Sequence, residues 1–157
     1  MNLPEGGCWD AEFRRAPGDV KTVIVVAAVL VDIDGRILVA QRPEGKAMAG
    51  LWEFPGGKVD PVDVDEVAAA LREAEEEVGL PKTHVEVLGT LPTHETVTGF
   101  LVTPVVGWIE RGFDELPEPG EVAEVFRVPL AHVLDPANYV VESRRWRGLR
   151  RSYYAVP

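Results

Sequence analysis

The sequence predicts an α+β fold, a sandwich built on a mixed β-sheet. Several strand-length apolar segments are spread along the chain, one strongly amphipathic helix lies mid-chain, and a weaker helix comes late. At 157 residues the chain is one domain, with enough length for a real core and too little for two ordinary ones. Residues 1–18 read as an irregular arm, leaving 19–157 as the single folded domain.

The elements follow in order. Met1 to Gly18 carries Pro4, Gly6, Gly7, Pro17 and Gly18, which break regular structure, while Trp9 and Phe13 predict packing onto the domain or onto a partner subunit in a homodimer. Lys21 to Val31 is β-branched and almost continuously apolar, as expected of a central strand. Asp34-Gly35 marks a hairpin turn, and Arg36 to Gln41 returns with Ile37, Leu38 and Val39. Pro43 to Gly50 is a loop, and Trp52-Glu53-Phe54 a short strand feeding a Pro55-Gly56-Gly57 turn. Asp65 caps a helix running to about Val78, with a buried stripe of Val67, Leu71, Ala74 and Val78; Gly79 and Pro81 end it. His84 to Leu91 and Gly99 to Ile109 read as strands, the second with a break expected at Pro104. Arg111 to Gly120 is a long exposed loop, Val122 to Val128 a strand, Leu130 to Leu134 a short helix. Tyr139–Val141 and Ser152–Val156 are late strands.

Composition narrows the function. The net charge of −10 argues against polynucleotide binding by phosphate neutralisation, but not against small phosphorylated ligands whose charge a metal ion can handle locally. No apolar run reaches membrane-spanning length, so no membrane partner is expected. The N-terminus lacks a signal pattern, and the lone cysteine, Cys8, excludes an internal disulfide; both fit a reducing, cytoplasmic setting.

The chemistry concentrates in Arg72-Glu73-Ala74-Glu75-Glu76-Glu77-Val78-Gly79-Leu80. On a helix, Glu73, Glu76 and Glu77 stand at i, i+3 and i+4, one above the other. Such a run alone is commonly a solvated helix face. Here the apolar stripe predicts that the acidic face is turned away from the core and free to look into a cleft with the Gly-Gly turn. Stacked carboxylates repel one another unless cations intervene, and Mg²⁺ favours carboxylate and phosphate oxygens.

This stretch resembles the Nudix box, whose pattern is G-x5-E-x7-R-E-U-x-E-E-x-G-U with U aliphatic. Gly57, Arg72, Glu73, Glu76, Glu77, Gly79 and Leu80 fill its positions. Asp63 replaces the first box glutamate, and its spacing to Arg72 is one residue longer; Ala74 is smaller than the usual aliphatic. The resemblance implies an α/β/α Nudix sandwich and hydrolysis of a nucleoside diphosphate linked to a further moiety. It implies Mg²⁺ or Mn²⁺ held by Glu73, Glu76, Glu77 and the Gly56 carbonyl, with Arg72 orienting the carboxylates. In many relatives a glutamate on a later loop activates water. Glu118, Glu121 and Glu124 are the candidates, and Glu121, after Gly120 at the mouth of a strand, ranks first.

The two halves of the chain resemble different branches of that family. Ile37 to Lys58 is similar to MutT-type nucleoside triphosphate pyrophosphohydrolases, in which positions matching Arg42 and Phe54 shape the nucleotide pocket and one matching Asn138 reads the base. From Gly57 onward the chain is similar to coenzyme A pyrophosphatases, including the extra box residue, Thr96–Gly107 and Glu121–Asn138. The Leu-Arg-x-His-x-Gly-Gln segment of that branch is replaced by Met48-Ala49-Gly50-Leu51-Trp52-Glu53. A hybrid, natural or chimeric, has this division. The leading expectation is a nucleotide pyrophosphohydrolase acting on a (d)NTP, with coenzyme A as the alternative substrate. A nucleotide-binding module with a vestigial box is the reading from another class, and the intact acid set counts against it.

Overall fold

Nine apolar or β-branched residues in a row form the middle of the sheet, β1 (Val23–Val31). The computed structural model describes residues 23–96, 99–146 and 148–157, without the side chain of Trp146. The expected arm over 1–18 lies outside them. After the turn at Gly35 (φ 71°), β2 (Arg36–Gln41) pairs with β1 only at Val31↔Ile37 and then diverges. The segment β3 (Trp52–Glu53) and β4 (Gly56–Lys58) fills that opening: β3 pairs with β2 at Ala40 and Gln41, and β4 with β1 at Val25 to Ala27. The Pro-Gly-Gly stretch expected as a turn is therefore strand from Gly56 on. Gly56 has to be glycine because a Cβ there would come within 2.1 Å of the Val26 carbonyl oxygen.

The other side of β1 carries β7 (Phe100–Ile109) in parallel, flanked by antiparallel β5 (Val85–Thr90) and β6 (His94–Glu95). On the far side of β2 lies β8 (Glu124–Pro129). One parallel pairing among antiparallel ones makes the sheet mixed, as expected. β7 is not broken at Pro104. The missing N–H falls where β5 has ended and β6 has not begun, and the Pro104 carbonyl still accepts from Leu91 N–H at 2.9 Å.

Period-two alternation splits the core in two. Val26, Ala28, Leu30, Leu38, Ala40 and Val105 face α1 (Glu66–Val78), while Val31, Ile37 and Val39 face α2 (Leu130–Leu134) with Phe54, Trp108, Leu130 and Val133. Each fully buried Leu or Ile adds about 1.5–3 kcal/mol to the fold. Of the expected stripe, Ala74 and Val78 are buried against the sheet, while Ala69 and Ala70 take the places expected for Val67 and Leu71. Alanines let the helix axis come close to β1 and β4, and bulkier Val67 and Leu71 are left at the margin. The late strands are longer than expected: β9 (Val140–Trp146) and β10 (Leu149–Ala155) form their own hairpin, outside the main sheet. Among the described residues no helix is long and apolar enough to cross a membrane.

Candidate active site

The start of α1 is built by aspartates. Asp65 has extended backbone and its side chain accepts from Ala68 N–H at 2.7 Å, so it is the N-cap expected. Two residues earlier, Asp63 accepts from Asp60 N–H and takes Arg72 in a fork, Nε at 3.0 Å and an Nη at 2.9 Å. The guanidinium goes on to Glu73 (2.9 Å), Glu76 (3.0 Å) and the Lys58 carbonyl (3.2 Å). Arg72 thus ties the loop before the helix, β4 and two box glutamates into one body. Its grip holds the Asp63 carboxyl below the ordinary aspartate value, and Asp63 in turn raises the Arg72 pKa. The shortened acid and the extra residue before Arg72 compensate each other, since the longer loop brings the shorter side chain to the guanidinium.

Rotation of the helix changes what the other glutamates do. Glu77 follows Ala70 by seven residues, which places it within about 20° of that buried position. It points at the sheet and not into solvent, and its Oε2 accepts from Gly56 N–H at 3.1 Å. Burial raises its pKa to about 7 against the opposing Gly56 N–H, and the negative charges of Glu73, Glu53 and Glu121 add to the rise. Burial also raises Glu73, only partly offset by Arg72, with Glu76 and Glu121 contributing. Gly57 faces the same place: a Cβ there would sit 2.6 Å from the Glu73 carboxyl. Its glycine requirement is this close approach, not a positive φ. Glu76, by contrast, is exposed and turned to Arg72.

The expected set of three glutamates is therefore divided, with Glu73 and Glu77 gathered at β4 and Glu76 at the guanidinium. Among the described residues no three acidic or histidine side chains form a ready ligand set. The donors still suit a hard divalent cation. Two half-buried carboxylates beside glycine backbone, with raised pKa and acidic neighbours, are what such an ion would relieve.

Glu121 acts electrostatically on both Glu73 and Glu77, and Lys46 of the 43–50 loop lies 4.0 Å from it. Of the expected substrate residues, Arg42 pairs with Glu53 (2.6 Å) and donates to the Ala47 carbonyl (2.7 Å). Phe54 packs on the opposite face of the sheet from α1, and Asn138 donates to the His132 carbonyl at 2.9 Å. Sequence reasoning missed Asp63 as the partner of Arg72 and Glu53 as a neighbour of Glu77. Strand alternation around Phe54 could have placed Glu53 on the α1 face, and the place of Asp63 at the first acid of the box was the signal for its pairing with Arg72.

Residues 21–147 match the NUDIX domain family. The chain belongs to this family. It is 47% identical over 118 residues to NudL of Escherichia coli (strain K12), described as an uncharacterized Nudix hydrolase, covering 72% of this chain. The chain spans only 62% of the length of that relative. Among solved structures, a MutT protein from Methanosarcina mazei Go1 is 27% identical with a TM-score of 0.58, covering 74% of this chain and 84% of that one. A Caenorhabditis elegans Ap4A hydrolase shares the Nudix fold at 21% identity and a TM-score of 0.60, over 70% of this chain and 83% of that one.

Proposed function

We propose that the chain hydrolyses the pyrophosphate linkage of a nucleotide derivative in the presence of Mg²⁺ or Mn²⁺, and that the derivative is of the coenzyme A type. The gathering of Glu73 and Glu77 against Gly56 and Gly57 carries the reaction class. Identity is 27% to the MutT protein, against 47% to NudL, described as an uncharacterized Nudix hydrolase, which weighs against the triphosphate reading. The chain also resembles coenzyme A pyrophosphatases from Gly57 onward. In addition, Arg42 and Asn138 of the triphosphate reading already have partners within the chain, at Glu53 and His132.

In this reading Glu73 and Glu77, with the Gly56 carbonyl, would hold the divalent ion, and Glu76 would turn from Arg72 to join them. When bound, the ion neutralises pyrophosphate charge and stabilises the leaving phosphate. Arg72, anchored on Asp63, keeps Glu73 in place, the support that a metal site needs from beyond its ligands. Glu121 takes the proton from the attacking water. The water oxygen bonds to one phosphorus, the bridging P–O bond breaks, and its electron pair leaves on the second phosphate. From coenzyme A the products are 4′-phosphopantetheine and adenosine 3′,5′-bisphosphate.

A panel of coenzyme A, normal and oxidised dNTPs, ADP-ribose and dinucleoside polyphosphates, each with Mg²⁺ or Mn²⁺ and with EDTA, tests the reading. Metal-dependent turnover highest on coenzyme A is the expected result. A higher kcat/KM on a dNTP would replace the substrate assignment, and the similarity of Ile37–Lys58 to MutT-type enzymes is what favours that second reading. Binding without turnover would make the chain a nucleotide-binding module.

A further inference from the structure

The 111–120 segment has the composition of a loose loop, yet it is docked along its length. Phe113 packs against the α1-side core. Leu116 N–H donates to the Val78 carbonyl (3.0 Å) and Glu118 N–H to the Glu77 carbonyl (2.9 Å), so the segment satisfies the last carbonyls of the box helix. Gly120 (φ 86°) then turns the chain, and both Glu121 N–H and Val122 N–H return to the Glu118 carbonyl at 3.1 and 3.0 Å. The place of Glu121 is thereby set by how this segment sits on the helix end.

One cation secures the segment from the sheet side. Arg127 of β8 donates through Nε to Glu115 at 2.7 Å and through an Nη to Asp32 at 2.9 Å, with its guanidinium 5.4 Å from the Phe113 ring centre. The Asp32 side chain is 4% exposed and also accepts from the N–H groups of Asp34 (3.0 Å) and Arg36 (2.9 Å), which makes it a rigid anchor. A planar fork is needed to bridge two carboxylates while lying on a ring, and lysine cannot do this.

We propose that Arg127 is a positioning residue for the hydrolysis: anchored on Asp32, it holds Glu115 and so fixes the segment that presents Glu121 to Glu73 and Glu77. This rests on the pyrophosphohydrolase reading with Glu121 as base, and goes beyond it by tying the base to a cluster on the hairpin between β1 and β2.

A double-mutant cycle tests it, with kcat and KM measured on coenzyme A with Mg²⁺, and melting temperature followed in parallel. Arg127→Lys and Glu115→Gln should each lower kcat on the order of 10-fold and leave KM within about twofold, because misplacing a catalytic group by a fraction of an ångström acts on turnover. Glu115→Gln leaves the Asp32–Arg127 pair intact, so it reports even where Arg127→Lys impairs folding. In a Glu121→Gln background the same changes should alter kcat by less than about twofold, while lowering the melting temperature as they do in the parent. Equal kcat losses in both backgrounds would overturn the proposal and leave the reaction class standing. Parent-level turnover in Glu121→Gln alone would remove the base assignment and the proposal with it. A parent chain inert on the whole substrate panel would bring down the activity reading itself.

Discussion

Asp63 and Glu77 sit at the two ends of the box helix and show opposite electrostatics. Asp63 is clasped by Arg72, and its carboxyl is held below the usual range. Glu77 has one backbone N–H and three acidic neighbours, and its pKa is pushed up to about 7. The first end is compensated by the chain's own cation and behaves as scaffold. The second has no protein cation among the described residues, the setting a cation from solution would relieve. An acid-rich helix is thus not uniformly a ligand face; the position of Arg72 decides which carboxylates are spare.

The sharpest way to break this comparison is Glu77→Gln. It should lower kcat by about 100-fold or more, the scale set by removing a group that stabilises transition-state charge, and leave metal-free melting unchanged or higher. Near-parent turnover across a Mg²⁺ titration would show that Glu77 is only a buried acid. Asp63→Asn attacks the opposite end. It frees Arg72 without touching the spare carboxylates, and should cost about 10- to 100-fold in activity through weaker Mg²⁺ affinity, as changes to the partners of ligands do. If activity falls while the Mg²⁺ half-saturation point stays fixed, Asp63 serves stability alone.

Gly57→Ala probes the contact between the two ends. The added Cβ must displace the Glu73 carboxyl while Arg72 holds it, an overpacking that costs about 1–3 kcal/mol. Calorimetry with Mg²⁺ and a non-hydrolysable nucleotide should show binding weakened on the order of 10-fold; unchanged affinity would make β4 a mere connector.

The smallest effect is in pH. For Glu77 the folded pKa of about 7 lies above the unfolded value near 4.5, so the folded state holds the proton more tightly. That contribution is full below about pH 4.5 and is lost as pH rises through about 7. Asp63 and Asp32, with lowered values, lose theirs only as pH falls through their depressed pKa values, below 3.8, and leave the window undisturbed. In EDTA the melting temperature should therefore fall by a few degrees between pH 5 and pH 8, roughly the shift that 1 kcal/mol produces in a domain of this size. Saturating Mg²⁺ should flatten that slope, and Glu77→Gln should reduce it to the share left by Glu73, whose pKa burial also raises. A slope undiminished in Glu77→Gln would place its origin elsewhere.

Much of this was legible in the residues themselves. Asp65 as cap, Gly79 as the left-handed stop (φ 76°), the Asp34–Gly35 turn and the Leu130–Leu134 helix all depend on local backbone chemistry, which a short window of sequence carries. The family, and with it the acid set, was carried by contiguous spacing. What sequence could not reveal is non-local. The helix rotates toward Ala69 and Ala70 because β1 and β4 offer a surface for close approach, and that rotation, not propensity, turns Glu77 inward and leaves Glu76 outside. Asp63 meets Arg72 only because a loop folds back on the helix, and Arg127 reaches Asp32 across 95 residues because β8 pairs with β2. Residue types and local spacing determined which groups were available for chemistry. Tertiary packing decided which carboxylates were neutralised and which, among the described residues, were left without a compensating cation, because charge compensation depends on distance in space and not along the chain.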